Sequence, residues 1–273
     1  MKILVFWDLV WRIGRKALKK ELPKLKEKFN PDFIIANWEN LASWRWPTEK
    51  LILEMEKLWI DLFTWGNHSF DNEEKIIDYM NDENSKIIRP ANHIESRFYK
   101  IPWKWYKILE KKGKKILVIN LMSHIFLRDQ MTNYFIKLDE IIQKFKQEKF
   151  NAIIVDFHRE TTSEIYALAF FTEKLNSQIS LLYWTHTHIQ TNDEIILPSW
   201  LWLISDVWMT WWLYSVIWAD YKSLEKRFLT WISKGKIDQD LWKNYVVNYL
   251  VAEIDDKTWK TINIEKARIR WEL

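Results

Sequence analysis

Residues 152–188 read AIIVDFHRETTSEIYALAFFTEKLNSQISLLYWTHTH. Ala152 to Val155 is a continuous apolar run, short for a helix, and His158 follows it. A helical segment covers 161–174, and a second apolar run, Ile179 to Tyr183, precedes His186 and His188. Two short strands buried on both faces, with a helix between them, predict a parallel β-α-β unit. The histidines then fall at the carboxyl ends of the strands, where open α/β sheets bind ligands.

Working outward, the same alternation fills the first two-thirds of the chain. Strand-like runs are Ile3 to Phe6, Phe33 to Ala36, Asp61 to Phe63, Lys86 to Ile88 and Ile116 to Asn120, and helical runs lie near 15–28, 48–58, 72–80 and 137–148. The last third differs. Asp193 to Leu197, Leu201 to Ser205, Tyr245 to Ile254 and Thr261 to Arg270 read as strands joined by turns, which predicts antiparallel hairpins. A layered α/β/β/α sandwich accommodates both halves. No linker or composition break divides the chain, so residues 1–273 are expected to form one domain.

Composition excludes several classes. There is no cysteine, so disulfides and thiolate chemistry are absent and His and carboxylates are the strong metal ligands left. Net charge is +4 with pI near 8.9, below the footprint of a dedicated nucleic-acid binder, and no stable nucleic-acid complex is expected. The basic stretch Arg15 to Lys28 carries Leu18, Leu22 and Leu25 at helical spacing and reads as a solvated helix face. No apolar run approaches 18 residues, so no membrane span is expected. MKILVFWDLV is broken too early by Asp8 for a signal peptide, and a cytoplasmic protein is the default.

Chemistry-bearing residues collect where strands end. Asp8 follows ILVF, Glu39 and Asn40 follow FIIAN, and Asn67 and His68 follow DLFTWG. With His158, His186 and His188, five strand-plus-loop units deliver Asp, Glu, Asn and His to one edge. Such mixed oxygen and imidazole donors suit Mn, Fe or Zn. His186 and His188 stand at i and i+2, on one side of an extended segment. A single histidine of this kind more often has a structural role; the ordered series is the stronger signal. His93 reads as a surface-loop histidine, His124 as a packed or surface histidine with the cleft as an alternative, Arg45 as either a loop arginine or a phosphate contact, and Asp206 as a structural aspartate. Asp156 and Glu160 flank His158, and either could orient its imidazole.

These motifs resemble the YmdB-like branch of the calcineurin-type metallophosphoesterases. The resemblance runs over nearly the whole chain and is sharpest in FWDLVWRIGR (6–15), ANWENLASWRW (36–46), TWGNHSFD (64–71), IIRPAN (87–92), DFHRETTSE (156–164), YWTHTHIQTNDEIILP (183–198) and SDVWMTWWLYSVIW (205–218). It implies a binuclear site with two iron or manganese ions. Asp8, Glu39, Asn40 and His188 would hold the first ion, and Glu39 would bridge to a second held by Asn67, His158 and His186. His68 would be the proton donor, and 2′,3′-cyclic nucleotides, or RNA-derived phosphodiesters of that kind, the substrates. The chain departs from the family's usual stretch at HIESRFYKIP (93–102) and carries Tyr134 where Pro is common. Val10 stands where many metallophosphoesterases have a His ligand, as is normal for this branch. Another phosphoesterase (a 3′,5′-cyclic phosphodiesterase, a phosphomonoesterase or a nuclease) stays open as an alternative. So do a regulatory protein and a nucleic-acid-binding module that stacks bases on tryptophan. The oligomeric state is open too, a homo-oligomer included.

The chain holds 20 tryptophans and 4 glycines, against about 19 glycines in an ordinary chain of this length. Trp59 follows EKLILEMEKL where a helix stop favours Gly, and Trp259 sits in DDKTWKT where a hairpin turn does. Reading Trp as Gly restores the family patterns GD-x-VG-R, NGEN, GTHTHIQT and SDVGMTG. The codon UGA means stop, Trp or Gly in different genetic codes, and glycine is the expected residue at many of these positions. Real indoles at 7, 38, 65 or 184 would be expected to crowd the metal ligands.

Overall fold

The computed structural model describes residues 1–41, 49–69, 76–95, 101, 104–127, 129–175, 177–207, 209–217, 219–232 and 244–271. In chain order the elements are β1 (Lys2–Phe6), α1 (Trp11–Phe29), β2 (Phe33–Asn37), α2 (Glu49–Glu56), β3 (Leu62–Thr64), α3 (Ile77–Asn81), β4 (Ile87–Ile88), β5 (Tyr106–Lys111), β6 (Lys114–Met122), α4 (Tyr134–Lys144), β7 (Ala152–His158), α5 (Thr162–Lys174), β8 (Ile179–Thr185), β9 (Ile195–Ile196), β10 (Trp202–Ile204), β11 (Trp211–Trp212), α6 (Tyr221–Thr230), β12 (Tyr245–Ile254) and β13 (Thr261–Trp271).

Two sheets result. One runs β11-β12-β1-β2-β3-β4 with β13 added on β12, and the other runs β5-β6-β7-β8-β10-β9. The β1-β2-β3-β4 and β6-β7-β8-β10 runs are parallel, as continuous apolar strands require. The expected hairpins are there as well: β9 pairs antiparallel with β10, and β12 with β13.

Three buried clusters give the layering. Ile3, Val5, Ile35, Leu62, Val118, Ile154, Leu181 and Leu250 pack between the sheets. Leu18, Leu22, Leu25, Ile52 and Met55 of α1 and α2 cover the outer face of the first sheet. Leu138 and Ile141 of α4, with Ile165 and Leu168 of α5, cover that of the second. The fold is therefore the expected α/β/β/α sandwich. The alternation of β1 accounts for both layers: Leu4 and Phe6 face the helices while Ile3 and Val5 face the opposite sheet.

Some details differ from the sequence reading. β5 was not expected; it is a half-buried edge strand closed onto β6 by Lys112 and Gly113, both at positive φ (52° and 74°), the geometry of a two-residue hairpin turn. α6 was not expected either; Leu224 alone is buried on it, and Tyr221, Phe228 and Leu229 stay exposed. His93, expected in a surface loop, is buried. Arg45 lies outside the described residues. No helix among the described residues is long and apolar enough to cross a membrane.

Candidate metal centre

The candidate side chains converge because backbone bonds tie together the loops that follow the parallel strands. Past β1, Leu9 N–H donates to Asn37 O (3.3 Å) and Trp11 N–H to Asn40 O (2.9 Å). Past β2, Trp38 N–H donates to Thr64 O (2.9 Å), and past β6, Ser123 N–H donates to His158 O (2.9 Å). Asp8, His186 and His188 hold φ values of 29°, 114° and 60°, a region L residues rarely occupy. Each such residue costs about 1–3 kcal/mol, and outliers of this kind gather at functional sites.

The side chains form one connected group. Asn40 Nδ2 donates to Asp8 Oδ1 (3.0 Å), and His188 Nε2 meets Asp8 Oδ2 at 2.5 Å. Asn40 Nδ2 also lies 3.4 Å from His188 Nε2. The rings of His186 and His188 are 6.4 Å apart, and those of His158 and His186 are 4.8 Å apart. His158 Nε2 lies 2.9 Å from Asn67 Oδ1 and 3.8 Å from Glu39 Oε1. The same Glu39 oxygen accepts the His68 backbone N–H at 2.7 Å. Asp8, Glu39, Asn40, Asn67, His68, His158, His186 and His188 thus share one neighbourhood. No group of three His, Asp or Glu side chains among the described residues is already arranged to close on an ion. Acids and imidazoles are folded onto one another instead, and two asparagines carry part of the donor set.

Burial sets the electrostatics. It pushes the Asp8 carboxyl up, but the neighbouring His188, with hydrogen bonds from His188 and Asn40, holds it below the usual carboxylate range. Burial pulls His188 down, but Asp8 outweighs this and raises it. Burial carries His158 well below the usual imidazole range, with His186, His68 and His188 adding to the shift. His186 falls to about 4, again mainly through burial, with His188 adding to it. The Asp156 carboxyl rises to about 7 through burial.

Asp156, one of the two acids the sequence offers to orient His158, stands behind it and acts through threonines that the sequence pattern does not mark. Thr64 Oγ1 donates to Asp156 Oδ2, and Thr185 Oγ1 donates to Asp156 Oδ1 at 3.1 Å. Having given its proton to Asp156, Thr185 can only accept from His158 Nδ1, 2.8 Å away. The proton therefore sits on Nδ1 and the lone pair on Nε2, which faces the lone pairs of Asn67 Oδ1. A buried and a half-buried acceptor at 2.9 Å, with no proton to share, fit a cation that both would ligate. Glu160 turns to His186 instead, at 3.0 Å, so of the two flanking acids only Asp156 supports His158, through Thr185. Asp206 accepts both the backbone N–H (3.1 Å) and the hydroxyl of Thr187, fixing the turn between His186 and His188. The signal for Asp156 and Thr185 was their register: Asp156 pairs with Tyr183 and His158 with Thr185 across β7 and β8.

Trp7 packs between the sheets, Trp38 and Trp65 under the helices of the first sheet, and Trp184 under those of the second, its ring pressed onto the Arg159 guanidinium beside His158.

A family model described as YmdB-like protein matches residues 4–267. A 2′,3′-cyclic-nucleotide 2′-phosphodiesterase of Bacillus subtilis is 35% identical over 275 residues, covering 98% of this chain and 97% of that relative. A crystal structure titled as a novel phosphatase of Mycoplasma pneumoniae superposes with a TM-score of 0.87 at 27% identity, covering 99% of this chain and 93% of that one. The NAD nucleotidase of Haemophilus influenzae shares the fold, with a TM-score of 0.62 at 17% identity over 100% of this chain and 56% of its own.

Proposed function

The chain belongs to the YmdB-like family of phosphoesterases, and from that premise we propose that it is a single-domain, two-metal phosphodiesterase that opens 2′,3′-cyclic nucleotides to 3′-phosphates. The observation carrying this reading is the convergence of Asp8, Glu39, Asn40, Asn67, His158, His186 and His188 past the carboxyl ends of strands from both sheets, with an acceptor pair, His158 Nε2 and Asn67 Oδ1, aimed at each other. The Bacillus subtilis relative is named for the same reaction.

Asp8, Asn40 and His188 would hold one ion, Asn67, His158 and His186 the other, and Glu39 would span both. Bound there, a pair of cations supplies an activated water near neutral pH and neutralises phosphate charge; manganese and iron suit this donor set. The residues do the rest. His158 is kept neutral and its lone pair outward by Thr185. His188 must leave Asp8 so that both can ligate. His68 is exposed on the loop held by Glu39 and can donate a proton to the departing 2′ ribose oxygen. A water oxygen would bond to phosphorus as the bond from phosphorus to the 2′ oxygen breaks, and the phosphate would stay on the 3′ oxygen.

His68→Ala is expected to lower kcat for a 2′,3′-cyclic nucleotide about 10²–10⁴-fold, with little change in Mn²⁺ binding. A parallel panel of 3′,5′-cyclic nucleotides, phosphomonoesters and RNA tests the substrate class. Equal or faster turnover of any of these would displace the proposed substrate, and no turnover with Mn²⁺ or Fe would remove the reaction itself. Thr185→Val cuts the link from Asp156 to His158 at nearly constant volume. Mn²⁺ affinity by calorimetry should fall about 10–100-fold, and Thr185→Ser should restore it. A Val variant that binds as tightly as the parent would break the tautomer argument.

A further inference from the structure

We infer that positions 7, 11, 38, 59, 200, 211, 212, 231 and 259, written as tryptophan, are glycine in the protein the cell makes. Two independent structural signatures single them out, and neither depends on the catalytic reading.

The first is backbone conformation. Among the described residues, 12 non-glycine residues have positive φ, and five of them are tryptophan: Trp11 (54°), Trp59 (64°), Trp200 (69°), Trp231 (57°) and Trp259 (57°). A bulky aromatic is poorly suited to this region, and glycine is its default occupant. These positions also do what a glycine does. Trp231 ends α6 in the left-handed conformation, its N–H donating to Arg227 O at 2.8 Å. Trp59 closes the turn after α2, donating to Glu56 O at 2.9 Å. Trp259 closes the turn between β12 and β13 with a bond to Asp255 O at 2.9 Å, and Trp200 closes the turn before β10 with one to Leu197 O at 2.8 Å. The indoles of Trp59, Trp200 and Trp231 are exposed at 74%, 44% and 87%, so core packing does not compensate the strain. Gly113, an unambiguous glycine, occupies the same region at φ 74°.

The second signature is buried polarity. The indole nitrogens of Trp7, Trp38, Trp211 and Trp212 are buried without a hydrogen-bond partner among the described residues. A buried indole N–H normally finds an acceptor. Trp7 and Trp38 directly precede Asp8 and Glu39, so glycine there would leave the backbone beside both carboxylates without a side chain. The shared explanation is a UGA codon read as glycine by the cell and written as tryptophan. Trp44, Trp46, Trp103, Trp208, Trp218 and Trp242 lie outside the described residues, and the inference does not extend to them.

Protein purified from the source cells, digested and sequenced by mass spectrometry, tests this directly. The peptides covering the nine positions are expected to be lighter by the tryptophan-to-glycine mass difference at each. Peptides carrying tryptophan at these positions would overturn the inference. A second measurement uses recombinant protein with tryptophan as written and the same chain carrying Trp59→Gly, Trp200→Gly and Trp231→Gly, the three positions whose indoles are exposed. The glycine form should unfold at a higher temperature. An equal or lower temperature would overturn the conformational argument, whatever either form does to phosphodiesters.

Discussion

Glu39→Gln should abolish metal-dependent hydrolysis of 2′,3′-cyclic nucleotides in a protein that still folds. Glu39 is the one carboxylate that lies between the two halves of the donor group. One oxygen accepts the His68 amide at 2.7 Å and stands 3.8 Å from His158 Nε2, and the residue is only 7% exposed. Glutamine keeps the shape, and its carbonyl oxygen can still receive the His68 N–H. It loses the negative charge that a pair of cations would share. Losing several kcal/mol of charge stabilisation corresponds to a fall in turnover of roughly a thousandfold or more. Mn²⁺ stoichiometry should fall below two per chain. Without metal the variant should be at least as stable as the parent, because a buried charge has been removed. Full activity with two bound ions would defeat the shared-carboxylate reading. A cellular effect that survives in the inactive variant would favour the regulatory alternative instead.

The layers of the fold were legible because most of its parallel strands are buried on both faces and carry a continuous apolar run. Ile3 to Phe6 and Ala152 to Val155 each lie inside a strand of the structure. β5 escaped because an edge strand with charged residues at Lys107, Glu110 and Lys111 buries too little to show a pattern. The positions of the candidate ligands were also legible, since each sits just past a strand end. Their support was not. Thr185 and Asp156 meet His158 only through the register of β7 on β8, and Glu160, just past β7, reaches His186, just past β8. Such contacts depend on strand order and on backbone angles at single residues, which local pattern does not encode. Burial of His93 depends likewise on tertiary neighbours, with Met131 bridging to it across the chain.

Gly66→Ala should damage the same centre without touching a charge. A Cβ built on Gly66 would fall on the Cε1, Nε2 and Cδ2 atoms of the His158 ring. That ring is fully buried and held on its far side by Thr185, so it has no room to withdraw. Either His158 tilts, and its Nε2 lone pair leaves the direction of Asn67, or the loop carrying Asn67 and His68 lifts. Overpacking of this kind costs about 1–3 kcal/mol of stability. A misplacement near 1 Å costs on the order of 100-fold in rate. The expected signature is therefore a modest drop in unfolding temperature with a disproportionate loss of kcat and of Mn²⁺ affinity at the site holding His158. Gly14→Ala gives the contrast: its Cβ would meet Thr210 O at 2.6 Å and Leu9 C at 3.2 Å, backbone rather than a candidate ligand. That variant should lose stability with less effect on Mn²⁺ affinity. If Gly66→Ala instead behaves like Gly14→Ala, with stability reduced and metal affinity intact, His158 does not need the bare backbone of Gly66 beneath it, and the second ion's proposed ligand set has to be redrawn.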